Sequence, residues 1–122
     1  MLSTDARIVR VLAVETLKID NVVDAMGEKL GTIDDLMVDL DSGCIAYALL
    51  SVAGLLGMDD RRFAIPWSAI RVDNKDKQLV LNVNREQLMA APVFDKDHWP
   101  DFGDQVWVES VHNHYGSKPY WD

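Results

Sequence analysis

The chain has 122 residues, 48% of them hydrophobic, and its 20 acidic and 12 basic side chains give a formal net charge of −8. This length suits one domain, and the apolar share is too high for a disordered chain. The acidic balance argues against a nucleic-acid-binding protein, because such proteins contact phosphates through clustered Lys and Arg. No apolar run approaches the ~18–20 residues that span a bilayer, and the N-terminus lacks a signal-peptide pattern. The single cysteine, Cys44, excludes an intramolecular disulfide, so the sequence predicts a cytoplasmic protein without membrane insertion.

Three zones follow one another along the chain. Residues 1–18 are weakly patterned, and we expect an N-terminal arm with one helical turn. Residues 19–93 alternate short apolar runs with turn signals, which predicts a small, mainly β domain. Residues 94–122 form an extension that holds seven of the ten aromatic residues and all three histidines.

The middle zone predicts about six short antiparallel strands, and turn residues separate the first three. These strands cover 21–24, 32–40 and 44–52, with Gly27 and Gly43 in the intervening turns. The strand over 44–52 is apolar on both of its faces. We therefore expect that strand to be covered on both sides.

The second strand, which Gly31 opens, loses its alternation of apolar and polar residues at Asp34 and Asp35. An extra residue at this point would restore the alternation. The sequence therefore predicts a β-bulge, which bends a strand as the closure of a small barrel requires. The glycines here and in the turns are interpreted as structural, because no Lys-Ser/Thr pair follows them as in a phosphate-binding loop.

The later strands are shorter. A strand over 62–65 ends at Pro66, which has no N–H for the ladder. Trp67 follows, and we expect it to plug the core or the end of the barrel with its indole N–H on a carbonyl. A final hairpin pairs 70–72 with 78–83.

A short helix is predicted after the last strand. Asn84 is a favourable N-cap, and Gln87 occupies the reciprocal position of a capping box. Pro92 ends the helix.

An ordered set of segments runs through the middle zone: Gly27, Gly31, Asp34 to Asp39, Ser42-Gly43, the apolar strand to Leu50, Gly54 to Gly57, Phe63 to Ile70, Glu86 to Leu88, and Ala91 to Phe94. This set resembles the PRC-barrel domain family, over roughly residues 17–94. The family includes the cytoplasmic barrel of the photosynthetic reaction-centre H subunit and the C-terminal barrel of a ribosome-maturation factor. The extension resembles the endings of small stand-alone bacterial members. The resemblance implies a small β-barrel and a general role in protein docking, and it carries over no catalytic residues.

The aromatic extension has three interpretations: it packs on its own barrel, it pairs with a second subunit, or it is a recognition peptide for another protein. Burial of each aromatic side chain is worth ~1.5–3 kcal/mol, which favours packing on the same chain or on a second copy. The candidate interface residues are Phe94, Trp99, Phe102, Trp107, Tyr115, Tyr120 and Trp121.

Metal ligation is considered at two places and favoured at neither. His112 and His114 are weak candidates that would share one face of a strand, with Glu109 as a third ligand. The run of acids from Asp34 to Asp41 lacks the closing Glu of a calcium loop, and Asp41 is expected to cap its own turn. Cys44 is expected to be a buried and unreactive thiol.

The sequence therefore predicts a non-enzymatic docking or assembly module, homodimeric and without cofactors. One alternative is an accessory factor that binds a ribosomal or a membrane complex, of the photosynthetic type, through protein contacts. The other alternative is a metal-dependent enzyme that uses His112 and His114.

Overall fold

A computed structural model describes residues 13–52, 61–73, 76–95 and 97–117. Its elements in chain order are α1 (Val14–Ile19), β1 (Asn21–Val23), β2 (Lys29–Val38), β3 (Ile45–Val52), β4 (Arg61–Pro66), a 3-10 turn (Trp67–Ala69), β5 (Ile70–Asp73), β6 (Gln78–Leu81), α2 (Arg85–Met89), β7 (Phe94–Asp95) and α3 (Gln105–Tyr115). Among the described residues, no helix combines the length and the apolar character needed to cross a bilayer.

The strands form one sheet of seven, in the order β5-β6-β1-β2-β3-β4-β7. The prediction of a mainly β protein is confirmed, with one short strand more than expected. Among the described strands, β5 and β7 are the two edges, so the sheet is not closed into the expected barrel. The prediction that all strands are antiparallel is wrong, because β1 runs parallel to β6, with Val22 opposite Leu79. These two strands lie far apart in the sequence, and hydrophobic alternation does not encode which distant strands become neighbours.

The predicted β-bulge is present in β2. Ile33 lies opposite Leu50 and Asp35 lies opposite Leu49, so Asp34 is the extra residue. The strand ends at Val38 rather than at the predicted Leu40, which is 90% exposed in the following turn. The strand can end at Val38 because the exposed Leu40 side chain contributes no burial that would stabilise a longer strand.

Strand β3 is covered on both faces, as its sequence predicts. On one face lies the main core, whose buried members are Leu17, Val22, Leu30, Ile33, Ala48, Leu50, Phe63, Ile65, Leu79, Leu81, Leu88 and Ala91. On the other face lies a second apolar cluster that includes Tyr47 and Leu49. The central position of β3 between β2 and β4 explains why five consecutive residues, Ala46 to Leu50, are buried.

The elements that flank the sheet also follow local sequence signals. Helix α1 has six residues, which is more than the one turn expected, and its Leu17 packs into the main core. The capping box of α2 is complete, since the Gln87 N–H donates to Asn84 Oδ1 at 2.8 Å and the Asn84 N–H donates to Gln87 Oε1 at 3.0 Å. Residues 1–12 of the predicted arm and the glycine-containing segment 54–57 lie outside the described residues.

Three of the glycines have distinct structural roles. Gly27 and Gly43 have positive φ angles of 87° and 75° in the turns on either side of β2. Gly31 lies inside the β2–β3 ladder, where a Cβ atom would clash with the backbone carbonyl of Ser51. The role of Gly31 is therefore to permit the close approach of β2 and β3, whereas the other two glycines form turns.

The residues at the end of β4 differ in burial. Pro66 is the last residue of the strand, is fully buried, and lies opposite Tyr47. Trp67 opens the 3-10 turn and is only half-buried against the main core. Trp67 therefore lies at the margin of the core and does not fill it.

Candidate docking surface

The aromatic extension folds back onto its own sheet. Its main element is α3, which was not predicted. Asp104 caps the helix N-terminus by accepting the Val106 N–H at 3.0 Å, and Gly116 ends the helix with a φ of 62°. The signals that could have revealed the helix are this Asp and Gly, which flank an apolar pattern at 107, 108, 111 and 115.

Helix α3 covers the second face of β3 and β4. Val108 and Val111 are buried on the side of the helix that meets the sheet. Val111 is a member of the second cluster, which comprises the buried Ala46, Tyr47, Leu49, Ala64, Phe94 and Val111 and the partly buried Met37, Phe102, Trp107 and Tyr115. The described part of the extension thus packs on the same chain, which supplies the cover that β3 requires.

Five aromatic rings, which we call the aromatic cluster, join the extension to β3. They are Tyr47, Phe94, Trp99, Phe102 and Trp107. Phe102 lies at the centre, with ring centroids 5.6 Å from Tyr47 and 5.0 Å from Trp107. Several of the pairs are edge-to-face, the geometry that aromatic quadrupoles favour.

Trp99 is the member of the cluster that remains about half exposed to solvent. Its ring lies 5.8 Å from Phe94 and 6.2 Å from Phe102, yet 48% of the residue is exposed. Phe94 is buried, and Phe102, Trp107 and Tyr115 are half-buried. The remaining candidate interface residues, Tyr120 and Trp121, lie outside the described residues.

Acidic side chains lie along the chain on both sides of Trp99. Asp95 accepts the Asp97 N–H at 2.9 Å, and Asp101 accepts the Gly103 N–H at 2.8 Å. Asp104 has the N-cap role described above. These hydrogen bonds hold the carboxylates in defined turns close in sequence to the exposed indole.

The two candidate metal ligands are separated, because they lie on a helix and not on the expected strand. His112 is buried and shares a hydrogen bond of 3.0 Å between its Nε2 and Tyr47 Oη, while its Nδ1 lies 3.3 Å from Ser117 Oγ. His114 Nε2 donates to the Gln87 carbonyl at 2.8 Å. Within the described ranges, no three His, Cys, Asp or Glu side chains gather as metal ligands would. Both histidines therefore attach α3 to the rest of the fold.

The acids of β2 and the following turn also make structural contacts. Asp34, the bulge residue, forms an ion pair of 2.9 Å with Arg62 on β4. The expectation that Asp41 caps the hairpin turn is wrong. Asp39 has that role, since it accepts the Asp41 N–H at 3.3 Å and the Ser42 hydroxyl at 2.7 Å. Asp39 comes first in the turn, so its carboxylate can reach the N–H groups that follow.

Cys44 differs from expectation in its exposure, and Tyr115 has a buried hydroxyl. Cys44 is exposed rather than buried, because it precedes β3 and belongs to the hairpin turn. Tyr115 lies between the two apolar clusters, and its buried hydroxyl has no hydrogen-bond partner among the residues that the structure describes. Burial raises the pKa of Tyr115, because the phenolate would lose its hydration.

Comparison with known protein families gives a match to a domain model. The model of the PRC-barrel domain matches residues 10–88, which cover β1 to β6 and most of α2. A comparison with curated proteins found no match. The family match stops before α3, so the aromatic extension lies outside the matched region.

Proposed function

Because the chain belongs to the PRC-barrel domain family, we propose that it is a non-catalytic docking module that binds a protein partner through the exposed side of its aromatic cluster. Those segments resembling the family that the structure describes are turns, strands and a helix cap, and the resemblance brings no set of catalytic side chains with it. We place the module in the cytoplasm, where an exposed free thiol such as Cys44 stays reduced.

The observation that carries this proposal is the exposure of Trp99. The extension covers its other described aromatic residues wholly or in large part, yet it leaves almost half of one indole in water. Tryptophan is among the residues that contribute most to binding energy at protein interfaces. Because its ring rests on Phe94 and Phe102, the indole is held in place before a partner arrives, and preorganisation lowers the entropic cost of binding.

The charges around Trp99 indicate the chemistry of the partner. Asp97, Asp101 and Asp104 are exposed and close to Trp99 in sequence. A complementary surface would have an apolar pocket for the indole, bordered by Lys or Arg. A ribosomal protein or the cytoplasmic side of a membrane complex could supply such a surface, and co-sedimentation with each fraction separates these two sources.

Self-association is the second candidate. A two-fold interface would place two copies of Trp99 against each other and bury both. The same symmetry would bring the acidic margins of the two copies together, which opposes association. We therefore propose a homodimer that is stabilised by burial of the two Trp99 indoles and weakened by repulsion between the acidic side chains of the two copies.

Substitution of Trp99 tests the docking proposal. We expect Trp99→Ala to remove a stoichiometric partner, or the dimer, in sedimentation velocity and in affinity purification with mass spectrometry. The control is Met26→Ala, because Met26 is 87% exposed in the turn between β1 and β2 and lies outside the cluster. If the parent, Trp99→Ala and Met26→Ala co-purify with the same partners and sediment with the same mass, the proposal is contradicted.

A further inference from the structure

A groove lies on a different surface, beside the 3-10 turn between β4 and β5. Three open clefts of about 390, 330 and 180 Å³ adjoin there, and Asn82 lines all three. Ser68 and Ala69 are shared by the first two clefts, and Ala25 is shared by the last two. We call these clefts together the Asn82 groove.

The walls of the Asn82 groove combine apolar and uncharged polar side chains, among them Ser68 and Asn82, with one cation. Ile70 and Val80 line the second cleft together with Arg71, which is exposed on β5. Within the described part of the chain, Arg71 makes no hydrogen bond or ion pair, and it is the only charged side chain in the walls of the first two clefts. Asp24 in the third cleft is buried and already accepts the N–H groups of Met26 and Glu28. The groove therefore suits a ligand with an apolar ring next to a carboxylate.

The last described residue of the chain lies at this groove. That residue is Ser117, which lines the first cleft and accepts a hydrogen bond of 3.0 Å from Ser68. Residues 118–122, whose sequence is Lys-Pro-Tyr-Trp-Asp, follow directly. At ~3.3–3.6 Å per residue, Asp122 can lie up to about 17 Å from Ser117. Arg71 is three residues from Ser68, within ~11 Å by the same measure, so it is within reach.

We propose that the Asn82 groove binds the segment Tyr120-Trp121-Asp122 of the same chain, with the rings against Ile70 and Val80 and the Asp122 carboxylate on Arg71. An Arg guanidinium binds both a carboxylate and the face of an indole, so Trp121 and Asp122 suit the same cation. This binding gives the last two aromatic residues of the extension a place within the fold. It is independent of the docking proposal, which uses Trp99.

NMR spectra of the full-length, ¹⁵N-labelled chain test the proposal. Removal of the indole ring in Trp121→Ala should shift the amide resonances of Ala69, Asn82 and their neighbours in the groove. Arg71→Glu should shift the same resonances, because the like charge of Asp122 expels the segment. The double variant Arg71→Glu/Asp122→Lys should restore them. Lys77→Glu makes the same charge change in the turn before β6, outside the groove, and should leave these resonances unchanged.

Two results would overturn the proposal. Unchanged groove resonances in Trp121→Ala would mean that the segment does not bind there. Shifts that appear only at high protein concentration would mean that the segment binds to a second copy rather than to its own chain. Neither result depends on Trp99, so failure here is distinguishable from failure of the docking proposal.

Discussion

Gly31 shows how one missing side chain can set the distance between two strands. A methyl group at this position would meet the Ser51 carbonyl of β3. We therefore expect Gly31→Ala to lower the free energy of unfolding by at least ~3 kcal/mol, as for other severe overpacking inside a core ladder. Urea denaturation measures the change. The control is Gly43→Ala, where no atom of the described residues would lie within 4 Å of the added Cβ and the positive φ of 75° is unfavourable, at a cost of about 1–2 kcal/mol. Equal losses in the two variants would contradict the steric explanation.

Tyr115 makes the free energy of unfolding decrease with pH in the alkaline range. Burial raises the pKa of its phenol above the ordinary value of about 10, so the folded protein keeps it neutral when the unfolded chain begins to ionise. Its contribution to stability is therefore complete below pH ~10 and is lost as the pH rises further, by up to ~1.4 kcal/mol per unit. Denaturant unfolding at pH 8 to 11 should show a smaller loss in Tyr115→Phe. That variant should be no less stable than the parent at neutral pH, because the hydroxyl has no partner to lose within the described ranges. Parallel pH profiles would exclude this role.

At the scale of elements, α3 acts as the cover of the second face of the sheet. Val111 is fully buried against that face, while Val106 on the same helix is 76% exposed. We expect Val111→Ala to cost about 2 kcal/mol and to increase hydrogen exchange in α3 and in β3. Val106→Ala makes the same chemical change and should cost less than ~0.5 kcal/mol. If both variants are equally stable, the helix does not depend on this contact.

At the scale of the whole molecule, the net charge of −8 gives the two kinds of partner opposite salt dependence. A basic partner at the Trp99 surface should bind more weakly as salt rises, on the order of tenfold between low and high ionic strength. A homodimer through the same surface should instead become tighter, because salt screens the repulsion between the two acidic margins. Sedimentation velocity and binding titrations at two salt concentrations measure whether each affinity rises or falls with salt. Complete insensitivity to salt would mean that the acids around Trp99 do not border the interface.

Features that depend on neighbouring residues could be read from the sequence. The bulge at Asp34, the apolar faces of β3 and the capping box of Asn84 and Gln87 arise within short segments, where alternation and hydrogen-bonding side chains act directly. The family resemblance has the same origin, because it consists of turns, strands and caps in a fixed order.

Features that depend on distant residues were decided by the tertiary structure. The parallel pairing of β1 with β6 joins segments more than fifty residues apart, and His112 on α3 is placed by a hydrogen bond to Tyr47 on β3. The extension was predicted to pack, but its helix was missed because its aromatic and histidine content suggested strand or ligand chemistry. The sequence by itself determined which segments are apolar, on which faces, and where the chain turns, since these follow from local side chains. Only the tertiary structure decided which apolar faces meet and that Trp99 stays exposed, because burial depends on what the rest of the chain brings to the same place.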